Sequence, residues 1–290
     1  MCKESTPKTV VGYLGTVIAA GPGAPPPDPM SWVLSLQKYN PAMPPNVYLL
    51  CGDGNLEPMA PLISERAAQP PLTPDNDPWK WIHLVIRNLI ERVAASGKNK
   101  DWMVFIDTNP SFSIYTEIAI SSASRLIVPV NADDSSRTAI GAMLTLLHGS
   151  TPPHPIYGKY TFAARAKAKG MSVPLVHLVI GNRLTQYAGA ATAFAAMSGA
   201  TADALYGAYK TSPDWFSSSN PRPASSDAFR AAYAQPLRDF NTAGVVAAHM
   251  GIPLSKLAAG VYNIHDSQVK VDSRRVGDCQ EAINAIVQRL

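Results

Sequence analysis

The chain has 290 residues, 46% of them hydrophobic, and a formal net charge of +4 at pH 7. That is enough apolar material for one large domain or two small ones with a sizeable core, and a basicity that permits a nucleic-acid partner without demanding one. Cys2, Cys51 and Cys279 lie far apart with no CxxC pair, which speaks against a disulfide framework or a zinc site. No apolar run reaches the roughly 18 residues of a membrane span.

Met1 to Ser5 carries no apolar stretch behind a positive segment, as a signal peptide would. The expectation is a cytoplasmic protein with reduced thiols. From Thr9 to Ala20, Val10, Tyr13, Leu14, Val17 and Ile18 fall on one helical face. Gly21-Pro22-Gly23 ends that helix, and Pro25 to Pro29 form a stiff linker. Asn46 to Cys51 reads as a buried strand between Pro45 and Gly52, followed by a proline-rich loop through Pro70, Pro71, Pro74 and Pro78. Trp79 to Ala95 is an amphipathic helix that Asp77 caps, with Pro78 in its first turn and Gly97 at its end. Trp102 to Asp107 is a second strand, Ile114 to Ser122 a short helix and Arg125 to Val130 a third strand. Ser135 or Ser136 caps a helix running to about His148.

Thr151 to Pro155 is another break, and Lys159 to Gly170 a basic helix. Pro174 to Ile180 is a fourth strand. Alanine-rich helical stretches occupy residues 187–209 and 226–250, and Arg275 to Leu290 closes the chain with a helix. Four short apolar strands separated by helices indicate a parallel sheet covered on both faces. Ligands of such sheets bind at the carboxyl ends of the strands, so the residues just after each strand are the ones of interest.

The strongest of these is Met103-Val104-Phe105-Ile106-Asp107-Thr108-Asn109-Pro110-Ser111. An apolar run delivers an aspartate and then turns at a proline. In phosphate-hydrolysing proteins an aspartate so placed holds Mg²⁺ beside the β- and γ-phosphates; the plainer reading is an aspartate that caps the next turn. The six histidines (His83, His148, His154, His177, His249 and His265) show no metal-ligand spacing, and no G-x-S-x-G elbow is present. Asp133-Asp134 reads as a helix cap. Lys159, Arg165, Lys167 and Lys169 read as the outer face of a helix.

The stretch from Trp102 to about Leu147 resembles the ParA/MinD-type partition ATPases: a strand ending in D-x-x-P, a helix, the hydrophobic strand Ala123-Ser124-Arg125-Leu126-Ile127-Val128-Pro129-Val130, and a helix carrying Ser135 and Gly141. Asn46 to Leu50 with Gly52-Asp53 is similar to the family's preceding strand and turn, and Val10 to Leu14 to the helix before that. The resemblance implies an α/β fold of the P-loop NTPase type (SIMIBI class), a parallel sheet flanked by helices, incomplete, with a C-terminal helical extension. Residues 1–185 would be the ATPase core without its Walker A loop, and residues 186–290 a mainly helical part of the same domain. Asp107 would be the catalytic residue and hold Mg²⁺ through water. Thr108, Asn109, Pro110 and Ser111 would form the switch. Asn182 would read the adenine ring, its alternative being a turn-stabilising asparagine. Lys270, Arg274 and Arg275 would contact DNA, their alternative being a solvated surface. The family's cofactor is Mg-ATP. The implied partners are a second copy of the chain, non-specific DNA and a ParB-like adaptor, for the partition of DNA or the positioning of another cargo.

The chain departs from that family at the phosphate site. K-G-G-x-G-K-[ST] is absent, Gly97-Lys98 and Gly158-Lys159 being the only Gly-Lys pairs, and the family's D-x-D-P-Q segment is missing too. The glycine amides and lysine supply most phosphate contacts, so no tight Mg-ATP binding and no hydrolysis by this chain alone are expected. A truncated ATPase, a natural loop-less relative and a likeness of structure only all fit the pattern, and the alternative function is a non-catalytic partner-binding module. In the implied sheet, Met103 to Ile106 would be left with an open edge. A second copy, or Val261 to Ile264 as the best internal candidate, would have to cover it.

Overall fold

The computed structural model describes residues 8–71, 73, 76–97, 101–108, 113–131, 134–150, 152–184 and 201–290. Its helices in chain order are α1 (Val10–Ala20), α2 (Leu56–Ala68), α3 (Pro78–Ser96), α4 (Ile114–Ser122), α5 (Asp134–His148), α6 (Phe162–Ala168), α7 (residues 201–211), α8 (Ser226–Tyr233), α9 (Asn241–Met250) and α10 (Ser273–Val287). The strands are β1 (Leu34–Ser35), β2 (Tyr48–Leu49), β3 (Arg125–Val130), β4 (Leu175–Leu184), β5 (Ala234–Arg238), β6 (Gly260–Ile264) and β7 (Ser267–Val271). The chain divides into two compact units. One comprises residues 1–39, 45–124 and 147–174, the other residues 40–44, 125–146 and 175–290.

The first unit is built on helices. Thr9 starts α1 with its hydroxyl, which accepts from the Gly12 amide at 3.1 Å and donates to Asp53 Oδ2 at 2.9 Å. The helix then buries Tyr13, Leu14 and Ile18, as its periodicity predicts. Asp77 caps α3 by accepting from the Lys80 amide at 3.0 Å, and Pro78 occupies the first turn, where a missing N–H costs nothing. The apolar stripe of α3 (Trp79, Ile82, Val85, Leu89 and Val93) is buried, and α3 packs against α2 and α4. Each such side chain contributes about 1.5–3 kcal/mol by leaving water.

Three sequence expectations in this unit are corrected. The segment after Gly52 is not all loop, because α2 forms there with Pro61 inside it and Ile63 fully buried. The expected buried strand Asn46 to Cys51 contracts to β2, paired antiparallel with β1, and Leu49 is exposed. Trp102 to Asp107 forms no strand and has no ladder partner among the described residues. Met103 and Phe105 are each 66% exposed and Val104 46%, whereas Trp102 and Ile106 are half-buried, the Trp102 ring 5.4 Å from that of Tyr48. An apolar run becomes a strand only where a neighbour satisfies its amides and carbonyls, and this one has no such neighbour among the described residues.

The second unit contains a parallel three-stranded sheet in the order β3-β4-β5, with helices packed on it. The register runs from Arg125↔Leu175 to Val130↔Gly181 and from Val179↔Ala234 to Leu184↔Arg238. Pro129 and Pro236 both lie on the outer strands, where a strand tolerates a residue that cannot donate. β5 itself interrupts the helix expected over 226–250. Helical periodicity there hides a five-residue strand whose proline favours extended backbone. The core is aromatic: Tyr209, Phe216, Phe229 and Tyr233 are buried together, with the Phe216 and Phe229 rings edge-on at 5.7 Å. β6 and β7 make a separate antiparallel hairpin. Val261 to Ile264 pairs with β7, and among the described residues no strand pairing joins it to residues 103–106. Gly251 ends α9 in the left-handed conformation (φ 63°), its amide bonded back to Ala247 and Ala248, a position glycine adopts without a Cβ penalty. The whole is a mixed α/β chain with a small parallel sheet flanked by helices. Among the described residues no helix is long and apolar enough to cross a membrane.

Candidate functional site

The start of α3 and the length of α6, both in the first unit, enclose a cleft of about 550 Å³. Its charged lining is Lys80, Lys159, Arg165 and Lys169 against one carboxylate, Asp77, a surplus of three positive charges. The local sequence explains the arrangement. Thr161 caps α6 by accepting from the Ala164 amide at 3.3 Å, which sets Arg165 and Lys169 one turn apart on the same side. Cations in the last turn also suit the negative end of the helix dipole.

The floor of this charge cluster is Trp79. Arg165 lies over its ring with the guanidinium carbon 5.6 Å from the centroid, and the Lys169 ammonium lies 5.7 Å from it. Lys169 is also ion-paired with Asp77, and the Lys80 ammonium donates to the Lys169 carbonyl at 3.1 Å. Burial pushes the Asp77 carboxyl up, but the Lys169 ammonium and the amides of Lys80 and Trp79 outweigh it and hold the group below the usual carboxylate range. Lys159 lies over the Tyr160 ring at 5.0 Å. Neither Lys159 nor Arg165 has a carboxylate partner among the described residues.

Trp79 also packs against His83, whose ring stacks on the indole at 3.7 Å. His83 is fully buried, and its two nitrogens meet the Trp79 carbonyl at 2.7 Å and Glu117 Oε2 at 2.9 Å. The carbonyl can only accept, so Nδ1 carries a proton. The second contact holds one further proton, on the ring or on the carboxyl. With His83 buried and both its nitrogens satisfied, the pair ties α3 to α4.

The residues singled out by the resemblance are placed elsewhere. Asp107 and Thr108 are exposed and lie in no strand. Asn109, Pro110 and Ser111 lie outside the described residues. The backbone of Asn182 lies in β4, and its side chain is not among those described. Lys270 lies on β7, and Arg274 and Arg275 in the first turn of α10; all three are exposed, with Arg275 paired to Asp272 at 3.2 Å. No group of three or more candidate metal ligands occurs among the described residues. The cleft was missed in the sequence because Asp77 and Lys80 precede Lys159 to Lys169 by some eighty residues. Only the basic run of α6 was visible there, and a basic run alone reads as a solvated face.

The chain matches no family model, no curated protein and no solved structure.

Proposed function

We propose that this chain is a ParA/MinD-type partition protein that acts by binding DNA or a cargo-bearing partner, and that it does not hydrolyse ATP on its own. The observation that carries the reading is the pair β3 and β4: two successive strands, joined through α5 and α6, pair in parallel with one irregularity between Leu126 and Ile127, and β3 is the hydrophobic, proline-containing strand of the resembled motif. A larger P-loop NTPase-like fold is part of this proposal. The exposed cations Lys270, Arg274 and Arg275 add support. An arginine in the first turn of a helix opposes its dipole at a cost of about 0.3–1 kcal/mol; Arg275 offsets this by pairing with the capping Asp272, whereas Arg274 has no such ion pair among the described residues and suits a phosphate contact.

The test is binding of a labelled DNA duplex at two salt concentrations, alongside calorimetry with Mg-ATP. The reading expects salt-dependent duplex binding that falls in the Lys270→Ala/Arg274→Ala/Arg275→Ala variant, and no ATP binding near or below roughly 10 μM. Duplex binding that the triple variant leaves untouched would remove the DNA-contact assignment. The second reading, a non-catalytic partner-binding module, is favoured by Met103, Val104 and Phe105, an exposed apolar run of the kind that marks interaction sites. Absence of duplex binding would shift the balance to it.

A further inference from the structure

We infer that the cleft between α3 and α6 is a binding site for single-stranded nucleic acid, with the loop that precedes α6 supplying aromatic faces for unpaired bases. This goes beyond the partition reading and uses residues of the other unit. Three observations converge on it.

The first is charge. The cleft carries a surplus of three positive charges, and Lys159 and Arg165 have no carboxylate partner among the described residues. Arg165 is already oriented by the Trp79 ring, so little side-chain freedom is lost when it meets a phosphate. The second is the loop that carries Lys159 into α6. Tyr157 and Tyr160 are 64% and 63% exposed, and they bracket Lys159 in the chain. Large exposed rings beside unpaired cations are what a base–phosphate polymer needs, stacking on one and neutralising the other.

The third is rigidity. His154 folds back on the loop: its Nδ1 accepts from the amides of Ile156 at 3.2 Å and Tyr157 at 3.0 Å, and its ring stacks on Tyr157 at 4.6 Å. Its carbonyl accepts from the Gly158 amide at 2.9 Å. A Cβ on Gly158 would come within 3.1 Å of the Pro153 Cβ, so the loop closes tightly there. The aromatic face is thus held in place before any ligand arrives. A duplex offers no free base faces to such a surface, and an acidic peptide offers none at all.

The experiment uses the full chain and a fluorescein-labelled oligo(dT) of about 16 nucleotides, read by anisotropy, with the matching duplex, poly-glutamate and inorganic phosphate as competitors. The expected result is oligo(dT) binding that weakens with salt and resists poly-glutamate and phosphate better than it resists unlabelled oligo(dT). Tyr157→Ala/Tyr160→Ala should lose about fivefold or more in affinity at an unchanged salt slope, since stacking is not a counterion effect. Lys159→Ala/Arg165→Ala should lower both the affinity and the slope. The same measurements in the Lys270→Ala/Arg274→Ala/Arg275→Ala variant, which removes the phosphate contacts of the duplex-binding proposal, should show oligo(dT) binding that persists while duplex binding falls, which separates the two sites. Equal affinity for duplex and single strand in that triple variant, full displacement by phosphate, or tyrosine variants that bind like the parent would each overturn the inference. Circular dichroism of each variant confirms that it is folded.

Discussion

Arg289 reaches back from the last turn of the chain to the end of α8, donating from Nη1 to the Ala234 carbonyl at 2.6 Å and from Nη2 to the Ala231 carbonyl at 3.1 Å. A further bond from Nη2 goes to Ala232. These carbonyls lie where α8 gives way to β5, so their helical partners are gone. The neighbouring contacts repeat the pattern: His177 Nε2 donates to the Arg289 carbonyl at 2.8 Å, and Arg125 to the Leu290 carbonyl at 3.1 Å. The chain's last two residues thus fasten all three strands of the sheet.

Arg289→Ala should therefore destabilise the second unit by about 2 kcal/mol, because several carbonyls lose their partner at once. Urea unfolding followed by near-ultraviolet circular dichroism reads it, since the unit's core is built from tyrosine and phenylalanine. Arg289→Lys should recover only part of the loss, because an ammonium cannot span the same fork.

Burial pushes the His148 imidazole down to about 4, from an ordinary value of 6.5. The sign follows from proton counting. Below pH 6.5 the unfolded chain takes up a proton that the folded one refuses, so unfolding becomes easier as the pH falls from 6.5 toward 4. The contribution is complete above pH 6.5 and is lost by the time the folded group titrates. The expected loss is about 1–2 kcal/mol, less than the full shift because the residue is only half-buried. His148→Gln should show a correspondingly flatter decline in stability between pH 7 and pH 4.5.

Asp77 acts as both cap and ion-pair partner. Asp77→Ala should cost about 1 kcal/mol through the lost cap, whereas Asp77→Asn, which keeps a capping oxygen, should cost little. Thermal unfolding of the two variants distinguishes the roles. Both changes remove the cleft's single carboxylate, so both should tighten polyanion binding.

Phe105→Ser and Ile82→Ala make a paired test of where the first unit's core lies. Phe105 is exposed and Ile82 fully buried. The first substitution should shift the unfolding free energy by no more than about 0.5 kcal/mol, the second by about 2–5 kcal/mol. A large effect at Phe105 would mean that residues 103–106 are covered in solution, and analytical ultracentrifugation would then show whether a second copy covers them.

Local signals were legible in the sequence wherever a cap or a period was strong. α1 begins after Thr9, α3 after Asp77, and α4 and β3 span the residues their patterns predict. The failures share a physical cause. An apolar run such as Trp102 to Asp107 states what a segment would bury, not whether a partner strand will arrive. The short β5, with Pro236 in it, carries no alternation long enough to stand out inside an alanine-rich region. The cleft depends on a contact between α3 and α6 that no local pattern encodes, although its α6 cations were plain to see.

Trp79 belongs at once to the surface chemistry of the cleft and to the packing of the first unit, with Arg165, Lys169 and His83 all against its ring. Occupancy and unfolding are therefore linked quantities. A ligand that binds the folded cleft and not the unfolded chain raises the unit's unfolding free energy by RT ln(1 + [L]/Kd), about 2.7 kcal/mol at a hundredfold excess over Kd. A melting-temperature screen across anionic compounds then becomes a functional assay that needs no catalytic readout, with Lys159→Ala/Arg165→Ala as its internal blank.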